Sequence, residues 1–274
     1  MRLVKAKYEI DPHSLSYENA VHIVSEACAS CYELDTSAWD FKKRESYIEA
    51  KLKPTDRFKK HESVIEHAGF TVTFTMSRSI GNEIVRHRIA SYTQSSSRYC
   101  RFDNDRFDGH VPFIIPEEFG DDIPEGLYHH DCIRGKKVPF TYYVNSILHE
   151  VDGIVIPKYF FTDKQGDIVT TIEEPQQALW FNGCYHAEQT YLYRLHFNGK
   201  AELARENLPL SLKSILVVTA NMREWRRIFD LRAMDASGPA HPHMKYLMKP
   251  LFMDVIKAYP AFFNDLAEIY DLKV

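Results

Sequence analysis

The stretch AGFTVTFTMSRSIGNEIVRHRIASYTQSSSRY, from Ala68 to Tyr99, is the part of the sequence that most clearly predicts the fold. Apolar residues alternate with threonines over residues 68–76, and this period of two predicts a strand with one buried face. The following residues predict a short helix that starts near Ser79. A strand followed directly by a helix is a rigid support for the polar segment that comes next.

That polar segment, from Arg86 to Tyr99, is rich in anion-binding side chains and has no acidic residue. The guanidinium groups present planar pairs of donors that match phosphate oxygens, and serine hydroxyls add compact donors. The donors are Arg86, Arg88, Arg98, Ser91, Ser95, Ser96 and Ser97. The segment therefore predicts an anion-binding loop, and a solvated basic loop is the alternative.

Composition limits the class of protein. The chain has 274 residues, of which 45% are hydrophobic, enough for one large domain. Its 34 basic and 38 acidic residues argue against a general nucleic-acid binder. The absence of a long uncharged apolar run argues against a membrane span, and the charged N-terminal segment does not resemble a signal peptide.

Five cysteines, an odd number without a disulfide framework, favour reduced thiols in the cytoplasm. Cys28 and Cys31 form a CxxC pair within a predicted helix. Three interpretations of this pair remain open: cysteines buried in the helix, a redox pair and a zinc site. A zinc site would need further ligands such as His129, His130 and Cys132.

The remaining segments alternate between helical and strand patterns. We expect a strand at 2–10, helices at 17–32 and 44–60 (the second broken at Pro54), turns at 103–135 and β-rich structure at 138–172 with a hairpin turn near Gly166. These are followed by a helix from Pro175 to about Phe197, a strand at 212–220, a helix capped by Asn221 and a helical segment at 244–272. Neither a GxGxxG turn nor a P-loop is present.

Three motifs agree with one family. Arg86, His87, Arg88, Ser91, Ser96, Arg98 and Tyr99 match every fixed position of RHRxxSxxxxSxRY. Upstream, His61, Glu66 and His67 form HxxxxEH, which is not the HExxH spacing of a zinc helix. Downstream stand Arg205 before Leu208 and Pro209, then Asn221, Arg223, Leu231 and Arg232. Over residues 1–103 and 175–260 the chain resembles the flavin-dependent thymidylate synthases, the ThyX family.

The resemblance implies a fold and a reaction. The fold would be α+β, an antiparallel sheet flanked by helices in a single domain over 1–274, with an inserted β-rich segment at about 104–174. The reaction would be reductive methylation of dUMP to dTMP, with methylenetetrahydrofolate as carbon donor and FAD reduced by NADPH. The family forms homotetramers with shared active sites, and neither a nucleic acid nor a membrane is an expected partner.

The resemblance also implies roles for individual residues, with no metal ion among them. Arg232 and His61 would be catalytic, and Arg232 would polarise the pyrimidine. The dUMP site would comprise Glu83, Arg86, Gln94, Ser96, Arg98, Arg205 and Arg232. The FAD site would comprise His61, Glu66, Arg86, His87, Arg88, Ser91, Gln94, Asn221, Arg223 and Arg227. Ser96 has no partner base in its local sequence, which favours phosphate binding over a nucleophilic role.

The chain departs from the family pattern at a few positions near the expected pyrimidine and flavin. Glu83 stands where members often have glutamine, Gln94 where some have glutamate, Arg227 where some have asparagine and His243 where many have glutamine. These exchanges leave two alternatives open: a substrate with cytosine as its base, dCMP, or a product that carries a hydroxymethyl group. A nucleotide- or flavin-binding protein without catalysis is a further alternative, against which the presence of His61, Arg98 and Arg232 argues.

Overall fold

We describe the protein from a computed structural model, which covers residues 1–53, 61–129 and 140–273. Two compact units make up the chain, and each is assembled from separate stretches of sequence. The first unit comprises Met1–Ala6, Thr75–Asn82 and Gln94–Ile215, and the second comprises Lys7–Phe74, Glu83–Thr93 and Leu216–Val274.

Ten strands and eight α-helices occur among the described residues. The strands are β1 (Arg2–Val4), β2 (Lys7–Ile10), β3 (Gly69–Ser77), β4 (Ala90–Gln94), β5 (Pro112–Ile114), β6 (Gly126–His129), β7 (Tyr142–Val151), β8 (Ile154–Thr162), β9 (Ile168–Ile172) and β10 (Lys213–Asn221). The helices are α1 (Tyr17–Ser30), α2 (Phe41–Leu52), α3 (Arg78–Ile84), α4 (Pro175–His196), α5 (Ala201–Ala204), α6 (Met222–Arg232), α7 (Pro242–Ala258) and α8 (Pro260–Ile269). A 3₁₀ helix spans Glu62–His67.

The first unit is built on a six-stranded sheet with the order β5-β1-β6-β7-β8-β9. The β1–β5 and β6–β7 pairs are parallel, and the other pairs are antiparallel. Helix α4 packs against β8. Its Phe181 ring lies 4.9 Å from the ring of Phe161 and 5.6 Å from that of Tyr128. All three rings are fully buried, so aromatic packing fixes the helix on the sheet.

Strands β7 and β8 form a long hairpin. Its two-residue turn, Asp152 and Gly153, has positive φ at both positions (52° and 77°), as a type I′ turn requires. Beyond Tyr143, no other described strand pairs with β7. Large apolar side chains near the turn are exposed, among them Ile147, Leu148, Ile154 and Val155. We call residues 144–158 the hairpin arm.

The second unit contains most of the four-stranded sheet, whose order is β2-β3-β10-β4. Helix α6 is attached to β3 by Trp225, whose ring stacks on Phe70 at 4.7 Å and whose Nε1 donates to the Phe70 carbonyl at 3.0 Å. Helices α1 and α2 pack together, α2 and α7 contact α8, and α6 contacts α7. Strand β3 therefore holds α6, the helix that carries the arginine cluster, in a fixed position.

The start of α6 is defined by three local interactions. The Asn221 side chain caps the helix by accepting a hydrogen bond from the Glu224 N–H at 2.9 Å. The Met222 N–H donates to the Ala68 carbonyl at 2.8 Å. A Cβ atom on Gly69 would lie 2.4 Å from the Ala220 carbonyl oxygen, so this close approach of two backbones requires glycine.

The α+β class is confirmed, and so are most predicted elements, including the Ala68–Tyr99 strand and helix, the helix at 17–32, the Gly166 turn, the Pro175 helix and the Asn221 cap. The single strand at 2–10 is wrong. It is two strands, β1 and β2, in different sheets, because the pairing partners lie far away in sequence.

Two further expectations are changed by the structure. The helix expected at 44–60 begins at Phe41, after its cap Asp40, and ends at Leu52; Pro54 lies outside the described residues. Cys28 is buried and Cys31 is exposed, so burial explains only the first cysteine. His130 and Cys132 also lie outside the described residues. No helix in the described ranges has the length and apolar character needed to cross a bilayer.

Candidate functional site

A tight turn follows α3 and presents the RHR residues of the second unit. The N–H of Arg86 donates to the Glu83 carbonyl and that of His87 donates to the Ile84 carbonyl, at 3.3 and 3.1 Å. The Tyr92 hydroxyl, on β4, donates to the carbonyls of His87 and Ile84. The backbone around His87 is therefore fixed from two sides, and the side chain of His87 is buried.

This turn and one side of α6 enclose a pocket of about 460 Å³, which we call the arginine pocket. Cationic side chains dominate it, and Glu224 is its acidic lining residue. Its lining residues are Arg86, His87, Arg88, Ile89, Glu224, Arg227, Leu231 and Arg232. The pocket thus brings together five of the residues that the resemblance assigns to the dUMP and FAD sites.

Arg232 is held in one orientation by acceptors on α3 and on the turn. Its Nε donates to His87 Nε2 at 3.1 Å, and its Nη1 donates to Glu83 Oε2 at 3.2 Å. Its Nη2 donates to the Glu83 backbone carbonyl at 3.3 Å. Three donors are used in this way, and a guanidinium has five, so donors remain for a ligand.

His87 is neutral at physiological pH. Burial, together with the nearby cations Arg232 and Arg227, lowers the pKa of its imidazole to about 4. A neutral imidazole that accepts at Nε2 carries its proton on Nδ1, which lies 3.4 Å from Glu224 Oε1. Burial raises the pKa of the Glu224 carboxyl, while Arg227 and Arg223 act in the opposite direction.

Three arginines of the pocket, Arg86, Arg88 and Arg227, make no side-chain hydrogen bond or ion pair with any described residue. All three are exposed residues that line the pocket. Several unpaired guanidinium groups around one cavity fit an anion with several oxygens, such as a phosphate or a pyrophosphate. The donor set therefore fits the FAD that the resemblance implies.

Other predicted residues of the second unit do not line the pocket. Glu66 and Arg223, both assigned to FAD by the resemblance, form an ion pair at 2.5 Å. His61 occupies the N-cap position of the 3₁₀ helix Glu62–His67, makes no side-chain capping hydrogen bond and is exposed. Ser91 is exposed on β4, and Asn221 uses its side-chain oxygen to cap α6.

Arg226, on the same helix, has a structural role. It is 2% exposed and forms a two-pronged ion pair with Asp265, at 2.6 and 2.7 Å. It also donates to Glu62 at 3.2 Å. Arg226 is therefore part of the core, whereas its neighbour Arg227 lines the arginine pocket.

The first unit holds the serine-rich loop, which we define as Ser95–Ser97. Its backbone is fixed to β10, since the Ser95 N–H donates to the Ile215 carbonyl at 2.9 Å and Ser95 Oγ accepts from the Ile215 N–H at 3.0 Å. Arg205 Nη1 donates to the buried Ser97 Oγ at 3.0 Å. Arg98 lies 3.7 Å from Glu202 and is half exposed.

Gln94 has a buried side-chain nitrogen without a hydrogen-bond partner among the described residues. The space beside it depends on Gly81, because a Cβ atom there would lie 2.9 Å from Gln94 Nε2. Buried donors in proteins are nearly always paired, so this nitrogen is available to donate to a bound molecule or an ordered water.

Sequence reasoning missed Glu224, and it named Ser97 only as one of several donors in the basic segment. Glu224 stands three residues after the helix cap Asn221, the spacing of a capping box, and this pattern marks it as a residue at the start of α6. Ser97 lies in the quoted window beside the expected Ser96. Nothing in the sequence indicates that Ser97 is buried against Arg205 while Ser96 is not.

Comparisons with known proteins identify the family of the chain. The family model described as thymidylate synthase complementing protein matches residues 15–261. A flavin-dependent thymidylate synthase of Pyrococcus furiosus is 30% identical over 175 residues, which cover 63% of this chain and 49% of that protein. One from Mycobacterium sp. (strain KMS) is 27% identical over 214 residues, covering 77% of this chain and 67% of that protein. The chain spans about half the length of the Pyrococcus relative that it matches.

A solved structure shares the fold. The crystal structure of the UMP/dUMP methylase PolB from Streptomyces cacaoi, bound with 5-Br dUMP, has a TM-score of 0.64 and 19% identity, and the match covers 98% of this chain and 97% of that one. At this identity the likeness concerns the fold alone. The family model, by contrast, spans most of the sequence and includes both the RHR turn and α6. The chain therefore belongs to the thymidylate synthase complementing proteins, the family of the flavin-dependent thymidylate synthases.

Proposed function

We propose that the protein converts dUMP to dTMP by reductive methylation, with methylenetetrahydrofolate as carbon donor and NADPH as the source of electrons. FAD, when bound, supplies the reducing equivalents to the one-carbon unit. One observation carries the proposal. Arg232 is fixed by neutral His87 and by Glu83 at the edge of a pocket lined by unpaired arginines.

Arg232 has the geometry needed to activate a pyrimidine. Methylation at C5 requires negative charge to develop on the uracil ring, and a cation held in place stabilises that charge without having to reorganise. His87 and Glu83 restrict the guanidinium to one orientation. Because His87 is neutral, it adds no second positive charge, and it orients Arg232 as an acceptor.

The unpaired arginines suit the flavin. Arg86, Arg88 and Arg227 would hold the pyrophosphate of FAD, and Glu66 would orient Arg223 within the same set. Gln94, Ser96, Arg98 and Arg205 belong to the proposed dUMP site. His61 would lie toward the folate and the flavin. We further propose a homotetramer whose subunits share active sites.

A second candidate keeps the flavin chemistry and changes the base or the product. Glu83 accepts a hydrogen bond from Arg232, so a carboxylate lies beside the group that is proposed to face the pyrimidine. A carboxylate accepts from an exocyclic amine, which cytosine has and uracil lacks. We therefore retain dCMP as an alternative substrate and a hydroxymethyl group as an alternative product.

The test is the mass of the nucleotide product. Purified protein is incubated with FAD, NADPH, methylenetetrahydrofolate and, in separate tubes, dUMP, UMP or dCMP. The proposal predicts that dUMP gains one CH₂ on the base and that the gain disappears without folate. Flavin binding without any change in dUMP mass would contradict it. A gain on dCMP, or of a hydroxymethyl group, would establish the second candidate.

A further inference from the structure

The CxxC pair at the end of α1 does not line the arginine pocket and has no part in the proposed function. Cys28 lies near the end of α1 and is 2% exposed, whereas Cys31 directly follows the helix and is exposed. Both are free thiols. A buried thiol packs as a small apolar side chain, which accounts for Cys28 alone. The presence of Cys31 at this spacing therefore requires another explanation.

The end of α1 directs the Cys31 side chain toward Cys28. The Cys31 Sγ lies 3.6 Å from the carbonyl oxygen of Ala27, which belongs to the peptide bond that precedes Cys28. Side chains three residues apart on a helix have Cβ atoms about 5–6 Å apart, and a disulfide needs about 3.8 Å. The chain can supply this shift, because Cys31 lies in a turn of tighter bonds, such as that from the Tyr32 N–H to the Ala29 carbonyl at 3.0 Å.

Aromatic rings and one cation from α2 surround the pair. The Lys51 Nζ lies 4.2 Å from the centre of the Tyr32 ring and 5.1 Å from that of Tyr47. Burial raises the pKa of the Cys28 thiol, and the charge of Lys51 acts in the opposite direction. A small oxidant can reach exposed Cys31 but not buried Cys28, so the two thiols would react in a fixed order.

We propose that Cys28 and Cys31 form a reversible disulfide by exchange with the disulfide of a low-molecular-weight thiol, such as oxidised glutathione. The Cys31 thiolate attacks one sulfur of the small disulfide, which forms a mixed disulfide and releases one small thiol. The Cys28 thiolate then attacks the Cys31 sulfur, the second small thiol leaves, and the Cys28–Cys31 bond closes. Two protein thiols are oxidised and one small disulfide is reduced. The two leaving thiolates take up the protons that the protein thiols lose.

Thiol trapping on the full chain tests the proposal. The reduced protein is equilibrated with glutathione buffers that range from fully reduced to fully oxidised, and the remaining thiols are alkylated. Mass spectrometry then measures the tryptic peptide of residues 8–42, which contains both cysteines of the pair. The variants are Cys28→Ser, Cys28→Ala and Cys31→Ser. The matched control is Cys100→Ser, which removes a half-buried thiol outside the pair.

The wild-type peptide is expected to lose both alkylatable thiols as the buffer becomes oxidised and to regain them after treatment with dithiothreitol. Both Cys28 variants should stop at the mixed disulfide, so that Cys31 carries one glutathione. Cys31→Ser should leave Cys28 reduced, because burial keeps the small disulfide away from it. The control should behave as the wild type.

Two free thiols in fully oxidised buffer would overturn the proposal, and so would a stable glutathione adduct on wild-type Cys31 or a disulfide between two chains. Equal uptake of glutathione by Cys28 in Cys31→Ser would contradict the order of the two steps. If the Cys28 variants fail to fold, the wild type and Cys31→Ser decide. None of these measurements involves a nucleotide, so the proposed function can fail without affecting this inference, and the reverse also holds.

Discussion

Arg232 Nε donates to His87 Nε2 at 3.1 Å, and this hydrogen bond requires a neutral imidazole. It joins the last residue of α6 to the RHR turn, two segments that are 145 residues apart in the sequence. Protonation of Nε2 would replace the acceptor with a donor and place two positive charges in contact. The pKa of His87, lowered to about 4 by burial and by Arg232 and Arg227, prevents this over the physiological range.

The lowered pKa predicts how stability depends on pH. Between about pH 6.5 and pH 4 the unfolded chain protonates His87 and the folded chain does not, so the free energy of unfolding falls as the pH falls. At pH 5 the loss from this residue is roughly 2 kcal/mol. Glu224, whose pKa is raised, opposes the loss because its carboxyl protonates more readily in the folded chain.

Denaturant unfolding of the wild type and of His87→Gln, at pH 7 and pH 5, isolates the histidine. Glutamine retains an acceptor for Arg232 and does not titrate. The wild type is expected to lose more stability than the variant on acidification. Equal losses in the two proteins would contradict the neutral state of His87.

Arg232→Lys tests the orientation of the cation. Lysine keeps the charge, but it cannot reach His87 Nε2, the Glu83 carboxylate and the Glu83 carbonyl together. We expect turnover to fall roughly 100-fold or more, as when an oriented donor to developing charge is removed. Flavin content, measured by absorbance, should stay near the wild-type level, because Arg86, Arg88 and Arg227 remain.

Arg101→Lys is the control for this experiment, since Arg101 is a surface residue paired with Asp103. If Arg232→Lys keeps most of its activity, Arg232 does not act through a fixed guanidinium. If it loses flavin and activity in parallel, its role is in cofactor binding.

The local sequence pattern was enough to predict the strands and helices that carry the site. The long-range contacts between these elements could not be predicted from it. Threonines alternating with apolar residues predict β3, and Asn221 before an amphipathic run predicts the start of α6. The acidic partners of the site could not be predicted in this way. Glu224 reaches His87 only because α6 packs on β3 through Trp225.

The arginines of α6 show the same limit. Arg226 and Arg227 are adjacent and chemically identical in the sequence, yet one is in the core and the other lines the pocket. The difference arises because Asp265 of α8 packs against only one side of the helix. In the same way, Val4 and Tyr8 belong to one alternating pattern in the sequence, but Val4 lies in β1 and Tyr8 in β2, and these strands join different sheets.

The buried pair Arg226–Asp265 predicts a loss of stability without a direct effect on the pocket. Asp265→Asn leaves the guanidinium buried beside a neutral side chain, which should cost about 3 kcal/mol of unfolding free energy. The exposed Asp254, which accepts from the Tyr8 hydroxyl, gives a matched control. Asp254→Asn should cost under about 1 kcal/mol. Similar denaturation midpoints for the two variants would show that the buried ion pair contributes little.

From the exposed apolar side chains of the hairpin arm, we predict that copies of the chain associate through this surface. Ile147, Leu148, Ile154 and Val155 are between 55% and 73% exposed, an unusual concentration of apolar surface near the tip of a hairpin. The free edge of β7 beyond Tyr143 also leaves backbone donors and acceptors unpaired by any described strand. If the proposed homotetramer forms through this surface, Leu148→Lys should reduce the molar mass measured by light scattering at a given concentration.

The change at Leu148 should affect assembly rather than folding, because surface substitutions usually alter stability by about 0.5 kcal/mol or less. Glu150→Lys, on the same strand, introduces the same side chain without removing apolar surface, and it should leave the mass unchanged. A wild-type monomer, or a Leu148→Lys protein with the wild-type mass, would exclude the arm as the contact. An equal effect of both lysines would show that charge, and not apolar burial, governs the association.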